Sequence, residues 1–313
     1  MKKIILILTI FITLKSFAQT EIDGLMMNKN LFCAGALYGK NSWKNYWEGS
    51  YKRENLNLGK VSANTFLIDG NYGLKDNLNI LFNVQYISTN ASAGQLEGQK
   101  GLQDLAMFVK WVPYEIDLKG GTFGIIGIGG FSIPMSNYTP DLLPLSIGLQ
   151  SNTATARLMI DYQKNTWFGT ISGSYTYRGN VKLDRNTYYT NELHYSNVVQ
   201  MPNVTNFNIR MGYRSDAWVI EGYANKWTCQ SGFDITKNNV PFVSNKMDAT
   251  TIGLHLKYTT KFVSGLEIIA DGFTTVAGRN VGQTKGFNAG FFYIMNFSKK
   301  EKVSKPPSHN VKK

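Results

Sequence analysis

The sequence predicts an all-β fold, namely a closed antiparallel transmembrane β-barrel of about 12 strands with short periplasmic turns and long extracellular loops. Connections between strand-length segments alternate between short and long, as they do in outer-membrane barrels. Apolar and polar residues alternate within the segments, so each strand has an apolar face and a polar face. Aromatic residues on the apolar faces gather at one end of the strands, where a barrel meets the membrane interface.

The composition agrees with a barrel and disfavours a soluble secreted protein. Charged residues make up 17% of the chain, aromatic residues make up 13%, and there are 30 glycines. Soluble domains average about 25% charged residues. Much of the net charge of +12 lies in residues 299–313, which carry six lysines and one glutamate. These residues are therefore predicted to be a basic, disordered tail.

The N-terminus predicts export. Lys2 and Lys3 precede an apolar run over residues 4–12, and small residues follow up to Ala18. Residues 1–18 are therefore predicted to be a secretory signal peptide, which is too short to span a bilayer as a helix. Because no later run of about 18 apolar residues exists, strands are the predicted means of crossing a membrane. We expect the protein to be located in the outer membrane of a Gram-negative-type bacterium.

The mature chain is predicted to begin with a segment outside the barrel wall. Residues 31–298 form the predicted barrel, and residues 19–30 form a periplasmic segment or a plug. The first strand is placed at 31–39; the alternative places it at 43–55 and leaves residues 19–42 as an inner plug. The last strand, 286–298, ends near Phe297. Barrel-assembly machinery typically recognises a last strand that ends in an aromatic residue.

The connections between the predicted strands are of two kinds, short turns and long loops. Short joints are predicted at residues 75–77, 114–121, 163–165, 215–216 and 261–263. Long joints are predicted at residues 90–100, 135–152, 179–202, 229–247 and 276–285. Pro140 and Pro144 favour an inward fold of the loop 135–152, which would gate a path through the barrel.

Strand register separates lipid-facing from lumen-facing residues. In residues 153–163, Leu158 and Ile160 share the apolar face, and Arg157 lies on the polar face. Residues 123–134 are apolar on both faces, so their register stays unassigned. The aromatic residues predicted to form a girdle at the short-turn end are Tyr72, Trp111, Tyr162, Trp167, Tyr213, Trp218, Tyr258 and Phe297.

Charged and titratable residues on the polar faces are the candidate lumen lining. They form either a salt-bridged core that fills the barrel or a solute path whose selectivity the charges set. Both interpretations hold if the N-terminal segment or a loop plugs the bore. The lumen-lining candidates are Asp69, Asp104, Lys110, Arg157, Asp161, Arg210, Arg214, Glu221, His255, Lys257, Glu267 and Asp271.

Aromatic residues and arginine crowd two predicted surface loops. Exposed loops of this composition commonly contact ligands. The alternative is that the rings pack on one another and cap the barrel. The surface-loop contact candidates are Trp43, Tyr46, Trp47, Arg185, Tyr188 and Tyr189.

Three stretches of the predicted strands resemble a known family. They are residues 70–86 (GNYGLKDNLNILFNVQY), 101–111 (GLQDLAMFVKW) and 123–134 (FGIIGIGGFSIP). Over residues 31–298 the chain resembles the outer-membrane β-barrel family labelled "MetA-pathway of phenol degradation", grouped loosely with long-chain fatty-acid-type outer-membrane transporters. The resemblance implies the barrel fold, an outer-membrane location and uptake of small, often aromatic or apolar compounds. It carries no catalytic residue over to this chain.

The sequence predicts a channel or transporter and no enzyme. The glycine run at residues 127–130 lies inside a strand with no helix after it, so it is not a phosphate loop. Three His and two Cys are widely spread, so we expect no metal and no cofactor.

The predicted function is passive uptake of a small solute, apolar or aromatic in type. The predicted partners are outer-membrane lipid, the small-molecule solute and the barrel-assembly machinery, with no nucleic acid because no binding motif is found. The alternative function is a structural or assembly partner of a surface-secretion machinery, with the long loops and the basic tail as docking surfaces.

Overall fold

Twelve antiparallel strands close into a barrel in the computed structural model, which describes residues 20–298. The predicted signal peptide and the predicted basic tail lie outside the described residues. The prediction of a closed antiparallel barrel is confirmed. The strands are β1 Leu31–Trp43, β2 Val61–Lys75, β3 Leu78–Ala91, β4 Lys100–Leu118, β5 Gly121–Pro134, β6 Thr153–Lys164, β7 Trp167–Arg178, β8 Val204–Arg214, β9 Trp218–Cys229, β10 Asp248–Thr259, β11 Leu266–Arg279 and β12 Lys285–Asn296.

Closure depends on the first and last strands. β1 pairs with β12 from Leu31 opposite Asn296 to Ser42 opposite Lys285, and it pairs with β2 along its other edge. All other strands pair with their neighbours in sequence, so each of the 12 strands has two partners. A closed ladder leaves no edge of unpaired N–H and C=O groups, which a lipid environment could not satisfy.

The first strand corresponds to the first of the two alternatives drawn from the sequence. Residues 43–55 do not form a wall strand. Instead, Asn45–Glu48 and Tyr51–Glu54 pair as a small hairpin beyond the end of β1. Among the described residues, no helix is long and apolar enough to cross a bilayer.

Turns and loops segregate to opposite ends of the barrel, as the sequence predicts. The short-turn end has residues 76–77, 119–120, 165–166, 215–217 and 260–265. The long-loop end has residues 44–60, 92–99, 135–152, 179–203, 230–247 and 280–284.

Two predicted joints are longer than the connections found. The predicted joint 114–121 is wrong, because β4 runs to Leu118 and only residues 119–120 turn. Pro113 has no N–H to donate to the strand ladder, and the register shifts between Trp111 and Tyr114. In the sequence this irregularity looks like the end of the strand, but the strand continues beyond it.

The predicted joint 276–285 is also too long. β11 continues to Arg279, and its pairing with β10 shifts register at Thr250 and Thr251, which leaves Val276 unpaired. The extra residue reverses the alternation of faces, which is why the sequence pattern ends there.

The outer surface is an apolar belt bounded by aromatic rings. Leu158, Met211 and Leu254 point outward at mid-strand and are 61%, 59% and 67% exposed. At the short-turn end, Trp167 packs against Tyr213 with centroids 6.2 Å apart, and Trp218 packs against Tyr258 at 4.5 Å. Apolar side chains at mid-strand and rings at the strand ends are what a bilayer and its interface select.

The structure assigns the register of β5, which the sequence left open. Ile126 and Ile128 point into the barrel, where they are buried with Val112 and Met159. Met26, from the chain before β1, packs against the same cluster. The inner face of β5 is apolar where the N-terminal part of the chain packs on it through Met26.

The long loops have a hydrophobic core of their own. Loops 135–152, 179–203 and 230–247 pack together, with Tyr188 stacked on Phe242 at a centroid distance of 5.5 Å. The buried members of this core are Val181, Leu183, Val199, Met201, Phe242 and Val243. The three loops therefore form one folded layer, which we call the loop layer.

One polar junction links the loop layer to the end of β11 and to the first loop. Arg279 donates two hydrogen bonds to the Asp234 carboxylate, at 2.8 and 2.7 Å, and Asn280 donates a third at 2.8 Å. The hydrogen bonds from Arg279 lower the pKa of Asp234. The Asn280 side-chain oxygen accepts from the backbone N–H groups of Gly49 and Ile235.

The outward register makes a direct prediction about stability. Leu254→Arg should lower the free energy of unfolding in lipid vesicles by about 2–4 kcal/mol, because a charge at the membrane midplane is costly. Leu193→Arg is the control, because Leu193 is 53% exposed in a loop hairpin. Urea unfolding monitored by tryptophan fluorescence measures both. Equal stability of the two variants would contradict the register.

Candidate functional site

The barrel interior contains a chamber of about 630 Å³. One part of its wall is apolar and comes from β1, β2, β11 and β12, through Leu37, Leu67, Ile269 and Phe292. The rest mixes polar and apolar side chains, and it includes seven of the lumen candidates. These are Asp69, Arg157, Arg210, Glu221, His255, Lys257 and Asp271.

A second, smaller chamber of about 270 Å³ adjoins the first. Arg157 and Glu21 line both, so they lie where the two chambers meet. The Arg157 guanidinium donates to the Ser172 hydroxyl at 2.9 Å and interacts electrostatically with Glu21. Thr155 and Thr176 add hydroxyls to the smaller chamber, 2.9 Å from each other.

Ion pairs between strands hold most charges of the inner wall. Arg214 contacts Asp161 at 3.1 Å, and Lys257 contacts Glu267 at 3.3 Å. A third pair joins Arg210 to Glu221.

All three pairs are buried, with each side chain no more than 13% exposed. Removing one partner of a buried pair leaves an uncompensated charge, so each pair constrains its two strands together. His255 and Asp271 approach at 4.0 Å.

Lys110 is the inward charge with the most acceptors. Its side chain is 0% exposed, and its ammonium contacts the backbone oxygens of Thr20, Asp23 and Leu25 at 3.0, 2.7 and 2.7 Å. The Asp23 carboxylate adds a contact at 3.1 Å. All four acceptors belong to the chain before β1, so this N-terminal segment (residues 20–29) lies inside the lumen.

The segment is folded around Asp23. The Asp23 carboxylate accepts from the Thr20 backbone N–H at 2.5 Å and from the Leu25 N–H at 2.9 Å. This turn points three carbonyl oxygens at one ammonium group, which offers three donors.

The segment leaves the lumen along a second contact. Met27 is buried with Leu31, Cys33, Ile269 and Phe292 in an apolar cluster on the inner wall. Gly73 permits this path, because a Cβ at that position would collide with the backbone oxygens of Met27 and Asn28. The segment is therefore held by one buried charge and by two apolar contacts, those of Met26 and Met27.

Seven of the twelve lumen candidates line the larger chamber, and Lys110, Asp161, Arg214 and Glu267 take part in ion pairs. Asp104 lies nearest the loop layer, where its carboxylate accepts a hydrogen bond from Tyr138 at 3.0 Å. Tyr138 belongs to the loop 135–152, and burial raises the pKa of its phenol. The same loop contacts β3 through the Thr89 hydroxyl, which donates to the Leu145 carbonyl at 2.5 Å. This loop thus folds over the inner rim.

The surface-loop candidates pack mostly against protein. Trp47 is 8% exposed, and Trp43 lies 6.1 Å from Tyr46 between ring centroids. Arg185 pairs with Asp141 at 3.0 Å and lies over the Phe242 ring.

Tyr188 is also packed, because it is stacked between His194 and Phe242. Tyr189 is 46% exposed, and the Arg185 side chain is 49% exposed despite its ion pair. In the described part of the chain, no cluster of three or more His, Cys, Asp or Glu could hold a metal ion.

Sequence reasoning missed the pairing of Lys110 with the N-terminal segment. Strand alternation predicts that the Lys110 side chain points inward. Its acceptors, however, are three backbone oxygens and one carboxylate about 90 residues earlier in the chain, so the contact is not local. Two signals were present: Asp23 follows the predicted export site, and β5 has an apolar inner face without an evident partner.

A closed barrel with paired charges inside and an apolar belt outside has the fold of outer-membrane channels. The chain is similar to an outer membrane channel from Pseudomonas putida F1 at 12% identity and a TM-score of 0.67, covering 90% of this chain and 100% of that one. The similarity shows the fold.

Two further solved structures match less well. The translocator domain of autotransporter NalP from Neisseria meningitidis has 13% identity and a TM-score of 0.47, covering 84% of this chain and 88% of that chain. The NanC porin has 9% identity and a TM-score of 0.47, covering 82% and 98%. No family model and no curated protein matches, so the phenol-degradation family label stays a prediction.

Neighbouring residues on β6 allow a test of the lumen register. With Cys33 and Cys229 replaced by alanine, Arg157→Cys should react with a water-soluble methanethiosulfonate reagent, because its side chain faces a chamber. Leu158→Cys faces outward and should react slowly in lipid vesicles but be reached by a lipid-dissolved quencher. The reverse pattern would overturn the register.

Proposed function

We propose that the protein is an outer-membrane channel for passive uptake of a small solute and that its N-terminal segment closes the path as a plug. The observation that carries this proposal is a chamber inside a closed barrel, crossed by a chain segment that wraps the Lys110 ammonium group with backbone oxygens. The apolar belt and aromatic girdle support insertion in the outer membrane by the barrel-assembly machinery.

The solute that we propose is small and apolar or aromatic. Leu37, Leu67, Ile269 and Phe292 give the chamber an apolar wall on which the apolar surface of such a solute would be removed from water favourably. The family resemblance supports the same solute class. Arg157, at the meeting point of the chambers, would set selectivity among solutes that carry a polar group.

Opening requires that the N-terminal segment withdraw. Lys110 would exchange four protein acceptors for water, and the Met27 side chain would leave its apolar cluster. Both the Lys110 contacts and the Met27 contact are reversible. Water that enters the vacated lumen would solvate the Lys110 ammonium group. The loop 135–152 forms a second constriction at the other end, through the Tyr138–Asp104 hydrogen bond.

The alternative function is a structural or assembly partner of a surface-secretion machinery. The folded loop layer is compatible with docking, since its loops form one packed unit. Such a partner needs no conducting path, so ion conductance separates the two functions.

The plug is tested by single-channel recording of the full mature chain in planar bilayers. Lys110→Gln should raise the open probability, because a neutral amide cannot hold the three carbonyl oxygens and the Asp23 carboxylate together. Lys100→Gln is the matched control, since Lys100 is an exposed lysine on the same strand.

Heat-modifiable gel migration establishes that each variant is folded before it is recorded. Wild-type conductance from both variants would reject the plug. Absence of conductance from the wild type and from Lys110→Gln would reject the channel and favour the docking function.

A further inference from the structure

A separate pocket of about 450 Å³ lies in the loop layer, between the loops 179–203 and 230–247. Its volume falls in the range of about 300–1,000 Å³ that small-molecule sites occupy. None of the residues that line it is Lys, Arg, Asp or Glu, in contrast with the lumen chambers. From this pocket we infer a second binding site, and we propose that it takes a neutral sugar unit.

The pocket wall is fixed before any ligand arrives. Tyr188 stacks on His194 with centroids 4.7 Å apart and an interplanar angle of 15°, and its hydroxyl donates to the Val198 carbonyl at 3.2 Å. His194 is in turn 2.9 Å from the Thr190 hydroxyl. A site with its rings already oriented loses little conformational entropy on binding.

Backbone contacts fix the opposite side. Phe233 accepts a hydrogen bond from the Lys246 N–H at 2.9 Å, and the Asn245 amide donates to the same oxygen at 3.1 Å. Gly232 has a φ of +107°, and a Cβ there would collide with the Ser244 carbonyl oxygen. Glycine at this position therefore lets the two arms of the loop come together beside the pocket.

Some polar side chains in the pocket have donor and acceptor groups that are not used in contacts within the protein. Within residues 20–298, the side chains of Gln200, Ser231 and Ser244 make no hydrogen bond to another residue. Ser244 is 7% exposed as a residue, and it lines the pocket, where its hydroxyl can meet a ligand. One amide and two hydroxyls can together donate to and accept from a polyhydroxylated ligand.

The lining chemistry selects a neutral ligand. A charged compound would give up hydration in this pocket without meeting a counter-charge. A purely apolar compound would leave the amide and hydroxyl groups unpaired. A sugar ring satisfies both requirements, because its C–H face can lie on Phe233 while its hydroxyls meet Gln200 and Ser244. This site does not depend on transport through the lumen.

The test uses the full mature chain in lipid nanodiscs and saturation-transfer NMR. The probes are the methyl glycosides of glucose, galactose, mannose and N-acetylglucosamine, with glucuronate and glucosamine as charged counterparts. At least one neutral glycoside should receive saturation at its ring protons, and both charged sugars should receive much less. Gln200→Ala and Ser244→Ala should each weaken the affinity about three- to tenfold, the effect of one lost hydrogen bond.

Two controls separate the pocket from other surfaces. Tyr195→Ala alters an 84% exposed ring next to His194 that does not line the pocket, and Asn288→Ala alters the lumen chamber. Both should leave the saturation transfer unchanged, and heat-modifiable migration shows that every variant is folded. The proposal is overturned if no neutral glycoside receives saturation, if the charged sugars bind equally well, or if the affinity for the glycoside is unchanged in both pocket variants.

Discussion

Closure of the hydrogen-bond ladder between β1 and β12 is the constraint on which the rest of the structure depends. A backbone group without a partner costs several kcal/mol in lipid, so the wall must return to its first strand. Because side chains alternate along a strand, closure places every second residue inside a confined volume. With lipid outside, the outward residues must be apolar, and the polar and charged residues lie inside.

Confinement then decides the chemistry of the interior. Charges that face inward must find partners, and Arg210, Arg214 and Lys257 find them on the wall itself. Lys110 finds its partners on the N-terminal segment. Withdrawal of that segment exposes this buried charge to whatever replaces it, which couples occupation of the lumen to the position of residues 20–29.

Local patterns in the sequence predict most of this fold, because strand alternation, turn length and ring position are each encoded within a few residues. The same alternation predicts the inward phase of the twelve lumen candidates. What failed were interruptions of the pattern, such as Pro113 in β4 and the unpaired Val276 in β11. The contact of Lys110 with Asp23 could not be read, since nothing local to either residue specifies the other.

A disulfide lock tests the central claim that the N-terminal segment must leave the lumen for the channel to open. In a chain with Cys33 and Cys229 replaced by alanine, Gly24→Cys and Asp161→Cys lie side by side, since a Cβ at residue 24 would touch the Asp161 side chain. Bilayer currents should vanish in the oxidised double variant and return on reduction, while each single variant is insensitive to reductant. Equal currents before and after reduction of a cross-linked protein would contradict the claim.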